Sequence, residues 1–165
     1  MLEKVREIFK REANAIENIP VTKSFEAAIG IIHRQVHEKN GKLVTSGMGK
    51  AGQIAHNIAT TFSSTGTPSI FLHPSEAQHG DLGILQENDV LLAISNSGKT
   101  REIIELIDLK NNLYPQIPVI VITGNENSPL AQKADCFILT GAPEEVCTLG
   151  LTPTTSTTMI TITGI

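Results

Sequence analysis

"DVLLAISNSGKTREIIEL", residues 89–106, carries the reading that decides the fold. Val90 to Ile94 is apolar at every position. A strand with one wet face would alternate, so this one is buried on both faces. Polar residues follow, and from Thr100 to about residue 113 the pattern is helical. Four more short apolar runs are rich in Val, Ile and Leu: "KLVTS" (42–46), "SIFLH" (69–73), "PVIVIT" (118–123) and "CFILT" (136–140). Helical stretches at 50–63 and 128–133, with 100–113, fall between them, and two further helices at 2–17 and 24–39 precede them. Buried strands alternating with helices predict an α/β fold, a doubly wound five-stranded parallel sheet flanked by helices.

Composition narrows the partners. Net charge is −4 without a basic run, and aromatic residues make up 4 %, so neither a nucleic-acid surface nor an anionic membrane is expected. No apolar run approaches a membrane span and no signal peptide is visible, which predicts a cytoplasmic chain with reduced thiols at Cys136 and Cys147.

In such a sheet, ligands bind outside the carboxyl ends of the strands. Gly98-Lys99-Thr100 imitates the end of a nucleotide P-loop, but Ala93 stands where its first glycine belongs. What remains is Ser95, Ser97 and Thr100 at a helix start, a cradle suited to a single phosphate. Gly47, Gly49 and Gly52 satisfy G-x-G-x-x-G after the first strand, yet no acidic residue ends the second strand to hold a ribose. A tight strand-to-helix turn accounts for those glycines. His73, Glu76, His79 and Asp81 raise the question of a metal, but two histidines six apart lack the spacing of a zinc helix. No metal is expected, and one histidine serving in proton transfer is the better reading. The hydroxyl run Thr154–Thr158 after Pro153 reads either as ligand contacts or as a solvated helix start.

Taken together, "TSGMGKAG" (45–52), "STGTPSIFLHPSEAQHGDLG" (64–83), "LLAISNSGKTREI" (91–103), "VIVITGN" (119–125) and "TLGLTPTTSTT" (148–158) resemble the sugar isomerase (SIS) domain, in its arabinose 5-phosphate isomerase family. The resemblance runs from about residue 5 to 160. It implies a parallel sheet of flavodoxin-like order, a homotetramer with shared active sites and no cofactor. The implied reaction interconverts D-ribulose 5-phosphate and D-arabinose 5-phosphate, feeding Kdo synthesis for lipopolysaccharide or capsule. By position, Ser46, Ser95, Ser97 and Thr100, with Asn96 beside them, match the family's phosphate-binding residues. Lys50, Glu102 and Glu145 match its charged active-site residues, and His79 matches the histidine of its HGDLG loop. Lys99 departs from the glutamate usual at its position. Family members continue to a Ser-His-Pro-Gly-Gly-like segment, and many to CBS domains. The expectation is therefore a single SIS domain over 1–165, truncated at its carboxy-terminal end and without CBS domains.

Aldose–ketose isomerisation moves a proton between C1 and C2 through a cis-enediol, which one carboxylate can shuttle. Glu145 is the first candidate for that base and Glu102 the second, with Glu144 facing solvent. Lys50 or His79 would meet the charge developing on the enediolate oxygens. A non-catalytic module that senses a sugar phosphate is the alternative. The absent histidine segment favours that sensor, and the presence of Lys50, Glu102 and Glu145 favours the isomerase. A heptose or hexulose phosphate isomerase fits the HGDLG loop less well.

Overall fold

The computed structural model describes residues 1–147 and 153–162. Strands β1 (Leu43–Gly47), β2 (Ser69–Phe71), β3 (Val90–Ile94), β4 (Val119–Thr123) and β5 (Cys136–Leu139) form one sheet in the order β2-β1-β3-β4-β5. Every pairing is parallel. The helices are α1 (Leu2–Glu17), α2 (Lys23–Ile32), α3 (Gly49–Ser64), α4 (Pro74–Ala77), α5 (Arg101–Leu113), α6 (Pro129–Lys133) and α7 (Thr155–Ile162). This is the doubly wound α/β fold expected.

All residues of β1, β3 and β4 are buried, because each strand serves two cores. Val90, Leu92 and Ile94 pack with Phe25 and Ala28 of α2, Ile54 and Ile58 of α3, and Met159 and Ile162 of α7. Leu91 and Ala93 face the other way, toward Ala77 of α4, Ile103, Leu106 and Ile107 of α5, and Leu130 of α6. Burying each such apolar side chain contributes about 1.5–3 kcal/mol, which explains why β3 has no polar position and why β1 and β4 have few. No helix among the described residues is long and apolar enough to cross a membrane.

Four local features differ from the sequence reading. The helix expected over 24–39 runs as α2 to Ile32 and then widens into a π-helical turn, His33–Glu38. The strand expected over 69–73 ends at Phe71, because Pro74 opens α4 at its first position, where a missing N–H costs nothing. The hydroxyl run is not solvated: Thr154, Thr155 and Thr158 are buried, and Thr158 and Thr161 turn their hydroxyls back onto the carbonyls of Thr155 and Thr157. Residues 148–152 of the same motif lie outside the described residues. Finally, β2 lacks the burial expected of the strands, with Ile70 exposed; on α1, Leu2, Val5, Ile8 and Phe9 form an exposed apolar stripe.

Two buried charges hold the opposite end of the sheet. Asp89, fully buried, accepts from the backbone N–H groups of Lys42 (2.9 Å) and Gln86 (2.8 Å) and from Lys42 Nζ (2.6 Å), which ties β1 to β3. Lys110 is buried on α5, and its ammonium donates to the Ile117 carbonyl at 2.7 Å. Burial pushes this ammonium below its ordinary 10.5, and Asp135 only partly opposes the shift. Between the lowered value and 10.5 the unfolded chain holds more protons at this site than the folded one, so stability rises with pH through that window. Lys110→Met removes the titration. Urea unfolding of wild type and variant across alkaline pH should therefore give stability curves that diverge upward for the wild type, and parallel curves would refute the assignment.

Candidate active site

The strand order reverses between β1 and β3, so α3 leaves β1 on one face and α5 leaves β3 on the other. A crevice opens there at the carboxyl ends. Both helices begin at it, and neither N-cap residue, Met48 or Thr100, caps its helix with its own side chain. By contrast, Thr22 caps α2 and Ser128 caps α6. Uncapped first-turn N–H groups and roughly half a positive charge at each helix start leave the crevice ready for an anion.

The loop from Ser95 to Thr100 is built around that property. Thr100 occupies the N-cap position of α5, yet its hydroxyl bonds Ser95 Oγ at 2.7 Å instead of capping the helix. Ser95 Oγ also accepts from Gly98 N at 3.2 Å, and Ser97 Oγ accepts from Lys99 N at 3.2 Å. Asn96 and Ser97 are exposed at the loop's crest. The Asn96 carbonyl accepts from Gly124 N and from Thr123 Oγ1, and Leu130 N donates to the Gly98 carbonyl. These bonds staple the loop to the end of β4 and the start of α6. Gly98 has φ +63°, and a Cβ there would overlap the Ser128 side chain.

The other expected residues are distributed as follows. Lys50 is exposed in the first turn of α3, and Glu102 is half-buried in the first turn of α5. His79 is exposed between α4 and the turn Asp81–Ile84, and its neighbour Gln78 is anchored to α5 through Glu105 Oε2 at 2.8 Å. Arg101 also bonds Glu105 at 2.6 Å, and with Gln78 it holds that carboxyl below the usual range. Ser46 is fully buried in β1, and its hydroxyl donates to the Leu72 carbonyl at 2.7 Å. It secures the chain after β2 and presents no surface to the crevice. Glu145 follows β5 and lies against α1. Its Oε2 accepts from Thr154 N at 2.6 Å, and its carbonyl accepts from Arg11.

Gly47 and Gly52 pack against each other's backbone: a Cβ on Gly52 would come within 2.7 Å of the Gly47 carbonyl oxygen. The glycine triplet is thus a tight strand-to-helix turn.

Beside this turn is a cleft of about 390 Å³ lined by Gly47, Gly49, Gly52, Gln53, His56, Phe71 and His73. Phe71 stands edge-on to both imidazoles, with ring centroids 5.6 Å from His56 and 6.3 Å from His73. Gln53 and His56 escaped sequence reading, although their i,i+3 spacing on α3 puts them on one side of the helix. Among the described residues no three His, Cys, Asp or Glu side chains converge as a metal site would require.

Comparison with known proteins adds the following. Residues 36–164 match the model of the SIS domain family. Arabinose 5-phosphate isomerase KdsD of Shigella flexneri is 50% identical over 124 residues, which is 75% of this chain and 37% of that protein. The Francisella tularensis protein of the same name is 42% identical over 160 residues, 96% of this chain and 48% of the relative. The chain thus spans less than half the length of these curated relatives. A crystal structure from Bacteroides fragilis, assigned as a phosphosugar isomerase involved in capsule formation, superposes with a TM-score of 0.98 at 64% identity, covering 99% of this chain and 86% of that one. An Escherichia coli CFT073 protein in complex with arabinose 5-phosphate superposes with a TM-score of 0.85 at 34% identity, covering 98% and 85%.

Proposed function

The chain belongs to the SIS domain family, and from that membership we propose that it is an aldose–ketose isomerase acting on D-arabinose 5-phosphate and D-ribulose 5-phosphate. One observation carries the reading: Thr100 sits where a cap belongs and bonds Ser95 instead, so the start of α5 stays available to a phosphate. The E. coli relative's complex with arabinose 5-phosphate and the relatives' names point to a five-carbon sugar on that phosphate.

In this reading the phosphate rests on the Ser95–Thr100 loop, with Ser95, Asn96, Ser97 and Thr100 around it and Lys99 adding a cation. Binding the phosphate supplies energy remote from the reacting carbons and orients C1 and C2. Glu145 takes the proton from C2 of the aldose while O1 gains one, which gives the cis-enediol. Glu145 then returns its proton to C1 as O2 loses one, and the ketose is formed. Glu102 is the second candidate for the base. Lys50 and His79 stabilise the charge on O1 and O2. Electrons are only redistributed within the substrate, so no redox cofactor enters.

The product feeds Kdo synthesis, and the capsule assignment of the Bacteroides fragilis neighbour favours the capsule branch. We place the enzyme in the cytoplasm, in keeping with its two free cysteines, and in a homotetramer that covers the exposed stripe of α1.

The test is isotope exchange. Incubated with arabinose 5-phosphate in D₂O, the protein should incorporate deuterium at C2 of the aldose and C1 of the ketose without added cofactor, as read by proton NMR. Saturable sugar-phosphate binding with no exchange would replace this reading with the sensor.

A further inference from the structure

A connection between α1 and the segment after β5 plays no part in the chemistry above. Glu12, in the middle of α1, accepts from Thr154 Oγ1 at 2.9 Å, across 142 positions of sequence. The same Thr154 oxygen accepts from Val146 N at 3.1 Å, and Thr154 N donates to Glu145 Oε2 at 2.6 Å. Thr154 therefore grips Glu145 through its amide and the next residue through its hydroxyl. Its single hydroxyl proton goes to Glu12, which fixes the rotamer that accepts from Val146 N and ties Thr154, whose backbone N–H holds Glu145, to α1.

The other oxygen of Glu12, Oε2, is buried and has no hydrogen-bond partner among the described residues. A carboxylate held with one oxygen unsatisfied is unfavourable, and such groups call for an explanation. Arg11, next on the helix, reaches the same segment through the Glu145 carbonyl at 3.4 Å and the Glu144 carboxylate at 3.7 Å. Two successive residues of α1 thus reach the short stretch that carries Glu145.

We infer that Glu12 is a positioning residue for the isomerisation: through Thr154 it sets the direction of the Glu145 carboxylate. The inference rests on the reading in which Glu145 is the base. Glu12 touches neither substrate nor reacting atom. It acts by limiting the arc that the Glu145 side chain can explore, and a misplacement of about 1 Å in a reacting group costs on the order of 10²-fold in rate.

The experiment compares wild type, Glu12→Ala, Glu12→Gln and Thr154→Val. Deuterium exchange gives kcat and KM, calorimetry gives inorganic phosphate affinity, and amide hydrogen exchange follows Thr154 and Val146. Glu12→Ala and Thr154→Val should lose about 10–100-fold in kcat, with KM and phosphate affinity unchanged. Glu12→Gln keeps an oxygen for the Thr154 hydroxyl and should restore most of the loss. Protection of the Val146 amide should fall in the alanine and valine variants and return with glutamine. Wild-type kcat in both Glu12 variants would overturn the inference. So would a joint loss of kcat, phosphate affinity and fold in Glu12→Ala that glutamine does not repair, since that describes a structural residue. A wild type that exchanges no deuterium would refute the isomerase reading and with it the assigned task of Glu12. The strap itself would still be read from amide protection.

Discussion

Glu145→Gln should lose deuterium exchange by about 10²–10⁴-fold, the usual worth of a positioned general base. At 1.36 kcal/mol per decade that is about 3–5 kcal/mol of transition-state stabilisation. The substitution is close to isosteric, and the glutamine oxygen can still accept from Thr154 N, which holds the present carboxylate at 2.6 Å. Residue 145 and Thr154 should therefore keep their places, and only the ability to carry a proton disappears. Affinity for inorganic phosphate, measured by calorimetry, should stay at the wild-type value, because the Ser95–Thr100 loop has its own supports. Wild-type exchange in this variant would move the role to Glu102, whose position in the first turn of α5 directly follows the Ser95–Thr100 loop.

Gly98→Ala should weaken phosphate binding by about 10–100-fold. The residue sits at φ +63° with the Ser128 side chain where a Cβ would go. A side chain in the left-handed region costs about 1–3 kcal/mol, and each 1.4 kcal/mol taken from binding is a decade of affinity. The collision adds a choice between two losses. If the loop yields, Ser95 Oγ no longer accepts from Gly98 N and the pairing of Ser95 with Thr100 is disturbed. If Ser128 yields, α6 loses its cap, in which Ser128 Oγ accepts from Ala131 N. The effect should show as a raised KM and weaker binding of inorganic phosphate, together with a lower Tm. Unchanged affinity would mean that the phosphate does not rest on this loop.

The sheet was legible because physics leaves few options for runs such as Val90–Ile94. A strand such as Val90–Ile94 that meets a helix layer on each face has no polar position, and short apolar runs separated by helices admit essentially one architecture. The place of the Ser95–Thr100 loop, between β3 and the start of α5, was legible for a related reason: polar residues and glycine end an apolar run. What escaped was non-local. The burial of Thr154, Thr155 and Thr158 depends on α7 lying against α1 and α3, and no window of sequence contains that fact. Ser46 belonged to a matching motif, but its hydroxyl is committed to Leu72, 26 positions away. Glu12 stood unmarked in the helix expected over 2–17, since its partner lies 142 residues on. The π-helical turn at His33–Glu38 carries no Pro or Gly to announce it.

The brevity of β2 has a consequence for how copies of this chain can meet. At one margin the sheet ends in three residues, Ser69–Phe71, with Pro68 before them and Pro74 close behind. Such a ladder offers a newcomer too few unpaired N–H and C=O groups to template an added strand. Growth by strand addition, the route by which open parallel sheets aggregate, is closed at that margin. At that margin association is left to helical faces, where a finite assembly can close on itself.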